Sequence, residues 1–253
     1  MPASCEEILK DLKTVLRPEQ FRDYCPNGLQ VEGRSQVQRL VTGVTACQAL
    51  IERAAEARAD MLLVHHGYFW RGEDETLTGI KRKRVETLLA HQINLVAFHL
   101  PLDVHPEMGN NAALGRLLEF TTTGDMGKQN NNSIGLTGTP AQPMTGEAMS
   151  ALLCARLGRT PLHVPGHAQT IQSVAWCTGA AQSFIELAWK AGVDAYITGE
   201  ASEQTVHFAR ETGMHFFAAG HHATERYGVQ ALGAYLAAKF SLEHQFIDID
   251  NPV

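Results

Sequence analysis

The chain has 253 residues, 44% hydrophobic and 19% charged, and 21 Lys+Arg against 27 Asp+Glu give a formal net charge of −6. That length holds one large domain or two small ones, and the composition excludes a disordered chain, a collagen and a disulfide-stapled mini-protein. The mild acidic excess argues against a general nucleic-acid or membrane-surface binder, because those need a net basic face.

Residues 40–66 read as apolar strand, small-residue turn, amphipathic helix and second apolar strand. Leu50, Ile51, Ala54 and Ala57 are spaced for one buried helix face. The strand expected at 61–64 ends in His65-His66-Gly67. An amphipathic helix follows around 85–91, then a strand at 95–98 that ends in His99-Leu100-Pro101-Leu102-Asp103. Polar, turn-forming residues at 121–124 and 129–133 suggest a loop-rich boundary near residue 127.

Residues 174–200 then repeat the first pattern. Ala46 meets Ala180, Gln48 meets Gln182, Ile51 meets Ile185, Glu52 meets Glu186 and Asp60 meets Asp194. Strands are expected at 195–198 and 216–219, the latter ending in His221-His222-Ala223-Thr224-Glu225, and a last short strand at 245–249. Each half thus delivers a His-x-x-x-carboxylate after a strand, then a helix with Ala-Leu-Gly (113–115 and 231–233). The ordered matches predict an α/β fold of two similar α/β lobes related by internal duplication, at 1–127 and 128–253.

The chemistry points to metal. Histidine numbers 12 and clusters at expected strand ends. In α/β sheets ligands gather at the carboxyl edge of the strands. Adjacent histidines at a strand end point to opposite sides, which suits two neighbouring ions or one metal with a partner beside it, and Gly67 permits a sharp turn. His221 and Glu225, four apart, share one face of a helix. Asp103 offers a second carboxylate at the matching place in the first half. Imidazole and carboxylate without thiolate suit zinc, iron, manganese or nickel. A lone His-His pair is usually an exposed strand end, and a lone His-x-x-x-Glu is often a surface pair; their matched placement is what argues for a site. His99 and His222 are each open to a role as ligand, ligand support or proton carrier. His91, His163, His167, His207, His215 and His244 read as ordinary.

The run Lys81-Arg82-Lys83-Arg84 reads first as a solvated helix start. Its functional reading is a mobile flap, with these cations for phosphate and Phe69 or Trp70 for stacking on a base. No phosphate-cradling G-x-x-x-x-G-K-[ST], no G-x-G-x-x-G after a strand and no G-x-S-x-G elbow occurs. The five cysteines are odd in number and include no C-x-x-C pair, so no disulfide framework is expected. The first residues show no signal-peptide pattern and no stretch approaches the roughly 20 apolar residues of a membrane span. A cytoplasmic protein is the expectation.

The segments Asn27-Gly28-Leu29-Gln30-Val31, His65-His66-Gly67-Tyr68-Phe69-Trp70, His99-Leu100-Pro101-Leu102-Asp103, Gly199-Glu200 and Gly220-His221-His222-Ala223-Thr224-Glu225-Arg226 together resemble the Nif-three-like dinuclear-metal family, also catalogued as GTP cyclohydrolase I type 2 homologues. The resemblance runs over nearly the whole chain and is to the short form, without an inserted domain. It implies a ring-shaped homohexamer with a central cavity. It also implies two divalent metal ions at the positions of His65, His66, Asp103, His221 and Glu225.

Two functions follow as expectations. One is a metal-dependent hydrolase of the GTP cyclohydrolase type, acting on a purine or damaged nucleotide, with His99 or His222 moving protons. The other is a non-catalytic metal-binding hexamer for metal delivery, storage or scaffolding.

Overall fold

The computed structural model describes residues 2–129 and 132–253. Strand β1 (Ala3–Ser4) leads into helix α1 (Cys5–Leu16), whose buried Cys5, Ile8, Leu12 and Leu16 recur at three- and four-residue steps. The helix stops where Arg17 turns left-handed, at φ 47°. Next come β2 (Gly28–Val31), β3 (Gln36–Val37) and β4 (Arg39–Thr45). Helix α2 (Gln48–Glu56) buries Leu50, Ile51 and Ala54, while Ala57 caps it. β5 (Met61–His66), α3 (Gly79–Ala90), β6 (Asn94–Ala97) and the single turn α4 (Leu100–Asp103) follow. The chain continues through α5 (Asn110–Leu117), β7 (Thr121–Gln129), β8 (Asn132–Thr139), α6 (Gly146–Leu157) and β9 (Leu162–Val164). It ends with β10 (Val174–Trp176), α7 (Ile185–Lys190), β11 (Ala195–Thr198), α8 (Glu203–Thr212), β12 (His215–Ala218), α9 (His221–Phe240) and β13 (Glu243–Phe246).

Internal contacts divide the chain into two compact units, Met1–Leu102 with Gly228–Asp250, and Asp103–Tyr227 with Asn251–Val253. The first holds a sheet of order β13-β4-β5-β6-β2, in which β13, β4, β5 and β6 run parallel and β2 is antiparallel to β6. Leu62, Val64, Leu95 and Ala97 turn to Leu50, Ile51, Val85 and Leu88 of α2 and α3. The other face meets α9, where a Cβ on Gly233 would lie 2.7 Å from the Thr42 methyl. Both faces are covered, so the strands read as unbroken apolar runs.

The second unit holds a sheet of order β7-β8-β10-β11-β12-β9. Its parallel centre is β10, β11 and β12. Trp176, Ile197 and Phe217 pack with α5 and α6, whereas Ala175, Tyr196 and Phe216 pack with α7 and α8. The two units share a plan: a helix and an edge strand precede a three-stranded parallel run, and that edge strand returns antiparallel to the third member.

A further shared detail lies at Asp60 and Asp194. Asp60 Oδ2 accepts the amides of Gln38 and Arg39, at 2.9 and 3.0 Å. Asp194 Oδ2 accepts those of Gln172 and Ser173, both at 2.9 Å. Each aspartate thereby fastens the start of one parallel strand to the next. The shared mixed α/β plan is consistent with duplication.

The expected halves, 1–127 and 128–253, differ from the compact units in two places. Residue 127 lies inside β7, which the β8 pairing holds in the second sheet. Residues 228–250 join the first unit because β13 pairs with β4, Glu243 opposite Arg39 through Phe246 opposite Thr42. The expected loop around 121–133 is instead a hairpin, with residues 130 and 131 lying outside the described residues. β-branched Thr121, Thr122 and Thr123 favour a strand, but register shifts interrupt the alternation that would have announced it.

Candidate metal centre

In the first unit, β5 and β6 end side by side and present three imidazoles. His65 is fully buried, and its Nδ1 donates to the Phe98 carbonyl at 2.9 Å. A carbonyl only accepts, so Nδ1 carries the proton and Nε2 keeps its lone pair. His66 Nδ1 shares a 3.0 Å hydrogen bond with Thr45 Oγ1. His99 Nδ1 is 2.7 Å from Asp23 Oδ1, which fixes the ring in the same sense.

The ring centroids of His65 and His66 are 4.5 Å apart, and His99 lies 5.1 Å from His65 and 5.7 Å from His66. One ring nitrogen from each lies within 4.8 Å of the others. The adjacent histidines therefore belong to one cluster, although strand alternation predicted opposite sides; the strand ends at His66, where alternation no longer binds the side chain.

Gly67 is glycine for a different reason from a turn. A Cβ there would stand 2.1 Å from Gln30 Oε1 and 2.7 Å from the Ala97 Cβ. Gln30 needs that approach, because its Oε1 accepts the Tyr68 amide at 2.7 Å and its Nε2 donates to the Tyr68 carbonyl at 3.1 Å.

Asp23 was not singled out by the sequence, yet it organises this end of the unit. Its Oδ2 accepts from Asn27 Nδ2 at 2.8 Å and from the Leu100 amide at 3.0 Å. Burial raises its pKa, but the hydrogen bond and charge of His99, then Asn27 and the Tyr24 amide, overcome that and leave it lowered. Asp23, Cys25 and His99 also form a close group. Burial, then the charge of Asp23, pushes the Cys25 thiol up to about 12, so Cys25 is a poor thiolate donor.

The second unit presents carboxylates. His221 opens α9 and Glu225 follows one turn later, with Nε2 and Oε2 3.0 Å apart. The predicted shared helix face is present. Glu200 Oε1 holds the other ring nitrogen, Nδ1, at 2.7 Å. Burial opposes a charge on His221, but Glu225 and then Glu200 outweigh it and raise its pKa to about 9. Asp103 Oδ1 accepts from Asn110 Nδ2 at 2.9 Å and from Thr178 Oγ1 at 3.4 Å.

A carboxylate oxygen of Asp103 lies within 4.8 Å of one of Glu225, which is 3% exposed. Two carboxylates so close repel unless a proton or a cation lies between them. Gly179, left-handed at φ 71°, makes the room: a Cβ there would stand 2.0 Å from Glu225 Oε1. The donors match a divalent ion that prefers nitrogen and oxygen ligands.

The structure thus groups His65, His66 and His99 in one unit, and Asp103, His221 and Glu225 in the other. His222 is buried, and its amide donates to the Val253 carbonyl at 3.0 Å. It sits about 100° round the helix from His221. Glu200 carries a sequence signal beyond its place in the Gly199-Glu200 segment: in the repeat it falls opposite His66, as Gly199 falls opposite His65.

The basic run lies within α3 rather than before it. Lys81 Nζ donates to the Asp74 carbonyl at 2.8 Å and pairs with Glu73 at 3.4 Å. Arg82 pairs with Glu86 at 3.1 Å, and Arg84 stacks over Tyr68 at 5.9 Å. Three of its four cations are thus engaged by their own neighbours, which argues against a phosphate flap; Arg82 and Lys83 are exposed, whereas Lys81 and Arg84 are half-buried. Among the described residues no helix is long and apolar enough to cross a membrane.

The family model for Duf34/NIF3 (NGG1p interacting factor 3) matches residues 3–252. A Pseudomonas aeruginosa protein named GTP cyclohydrolase 1 type 2 homolog is 54% identical over 252 residues, covering 100% of both chains. A solved structure described as protein ybgI, of unknown function, superimposes with a TM-score of 0.95 at 49% identity, covering 99% of this chain and 100% of that one. The structure of TTHA1606 from Thermus thermophilus does so with a TM-score of 0.89 at 33% identity, with coverage of 99% and 100%.

Proposed function

Because the chain belongs to the Duf34/NIF3 (NGG1p interacting factor 3) family, we propose that it is a dinuclear metal protein and a hydrolase of the cyclohydrolase type acting on a purine or damaged nucleotide. The observation that carries the metal is the Asp103–Glu225 approach, two carboxylates close together with Glu225 buried. Held this way they supply negative charge that a pair of cations needs if the ions are to sit near one another. His65, His66 and His221 would add imidazole nitrogens, and zinc, iron, manganese or nickel all accept that donor set. Divalent ions held there would acidify water and polarise an electrophile.

The reaction class is supported by the name that the relatives carry, homologue of a GTP cyclohydrolase. For such a reaction the chain offers His99 as its proton carrier. Asp23 fixes Nδ1, and Nε2 is the atom that takes up and returns a proton. His222 is the alternative carrier. The homohexameric ring belongs to the same proposal and is checked by native mass.

The test is metal analysis and turnover on protein stripped with chelator and reloaded. About two ions per chain are expected, with metal-dependent consumption of GTP or an oxidised purine nucleotide. Glu225→Gln, which keeps the shape and removes the charge, is expected to lose most of the bound metal. An unchanged metal content in Glu225→Gln overturns the site; saturable metal binding without turnover of any nucleotide in a panel overturns the hydrolase reading and favours metal storage or delivery.

A further inference from the structure

The second unit contains a cleft of about 520 Å³ that neither the metal reading nor the family comparison assigns. It is lined by Val104, His105 and Pro106 and bordered by α5, β7 and β8. Its volume is in the range of small-molecule sites. Arg116, His105, Thr122 and Thr123 line it and carry hydrogen-bond donors, while the donors of Asn111 and Ser133 are turned to the Ile134 and Gly135 carbonyls.

Arg116, on α5, lines the cleft and is exposed. Among the described residues its guanidinium has neither an ion pair nor a hydrogen bond. That contrasts with the run at 81–84, where neighbours hold three of the cations. His105 lines the same cleft, and its Nδ1 accepts the amides of Glu107 and Met108 at 3.2 and 3.1 Å. Two donors at Nδ1 require the ring proton to sit on Nε2, which makes that atom a donor. Thr122 and Thr123 add hydroxyls.

A planar guanidinium, an imidazole N–H and two hydroxyls exceed what a two-oxygen carboxylate can use, and suit a three-oxygen phosphate. Two other features give the rest of the ligand. Phe120 supplies an apolar wall, its ring braced 5.4 Å from Trp176. Asp125 also lines the cleft and is acceptor-only when ionised. It disfavours a bare anion, but it suits a hydroxyl or amino group on the body that carries the phosphate.

We propose that this cleft binds an organic monophosphate, with the phosphate on Arg116 and His105 and a hydroxyl- or amino-bearing body against Phe120 and Asp125. A nucleoside monophosphate and a sugar phosphate share this chemistry. The inference stands apart from the metal site and does not depend on it.

Calorimetric titration of the chelator-stripped full chain tests it, using guanosine 5′-monophosphate, ribose 5-phosphate and inorganic phosphate as probes. At least one organic phosphate is expected to bind saturably, and tighter than inorganic phosphate. Arg116→Ala should weaken it by about tenfold or more, which is about 1.4 kcal/mol. Lys83→Ala should leave it unchanged. Preference for the guanosine probe identifies a nucleotide site, and equal affinity for both organic probes a sugar-phosphate site. No saturable binding, an Arg116→Ala affinity equal to wild type, or inorganic phosphate binding as tightly as the organic probes overturns the proposal. Because no metal or turnover enters, failure here is separate from failure of the hydrolase reading.

Discussion

One unit presents imidazole where the other presents carboxylate. At the end of β5 stand His65 and His66; at the matching end of β11 stand Gly199 and Glu200. Yet Asp60 and Asp194 hold their strands through equivalent pairs of backbone amides, Gln38 and Arg39 in one unit and Gln172 and Ser173 in the other. The contrast separates two jobs. The aspartate serves the strand pairing, which both units share, so it is the same residue in both. The strand ends carry residues of the proposed metal site, and there the two units differ. A second contrast runs the same way: His99 and His221 are each gripped at Nδ1 by a carboxylate at 2.7 Å, but Asp23 comes from a loop and Glu200 from a strand end.

The heaviest loss is expected at the carboxylates that hold His99 and His221. Asp23→Asn and Glu200→Gln keep shape and remove the charge that orients each ring. Each is expected to lower metal affinity about 10- to 100-fold, read by chelator competition. A loss in only one of them would show that the two imidazoles do not play parallel parts.

The scaffold pair comes next. Asp60→Asn and Asp194→Asn each weaken two bonds to backbone amides, with an expected loss of about 1–3 kcal/mol in denaturant unfolding. For Asp60 the sign with pH follows from its lowered folded pKa. Burial raises that pKa, and the amides of Arg39 and Gln38, then Arg34, more than reverse it. Its stabilisation is therefore complete above the unfolded carboxylate pKa of about 3.9 and is lost as pH falls through the lower folded value. Asp60→Asn should flatten that acid limb. A limb as steep as wild type would place the acid sensitivity elsewhere.

The smallest effect is at α3. Arg82→Ala removes an exposed one-turn pair with Glu86 and should change stability by no more than about 0.5 kcal/mol, with metal content unaltered. A drop in metal content would return the basic run to the functional site.

The central parallel strands were legible because they are covered on both faces. Apolar runs at 61–64, 95–98, 195–198 and 216–219 lie within a residue or two of β5, β6, β11 and β12. The helix face of Leu50, Ile51 and Ala54 was readable from spacing alone. The β7–β8 hairpin was not, since threonine, glycine and polar residues with register shifts leave no period of two. The last strand begins two residues before its expected start, because Glu243 and His244 join the ladder through backbone pairing that carries no apolar signal. In the site, Asp103, His221 and Glu225 were legible as a carboxylate and a one-turn spacing. Asp23 was not, because its partner His99 is 76 residues away and local spacing does not carry such a contact.

The pairing of β13 with β4 has a consequence for how the protein is made. A ribosome delivers β4 some 200 residues before the segment that lies beside it. During that interval the edge of β4 offers unsatisfied amides and carbonyls to any passing strand. Synthesis of this chain therefore carries a window of vulnerability that closes when residues 243–246 emerge, and slow translation or chaperone shortage should tell first as aggregation of nascent chains.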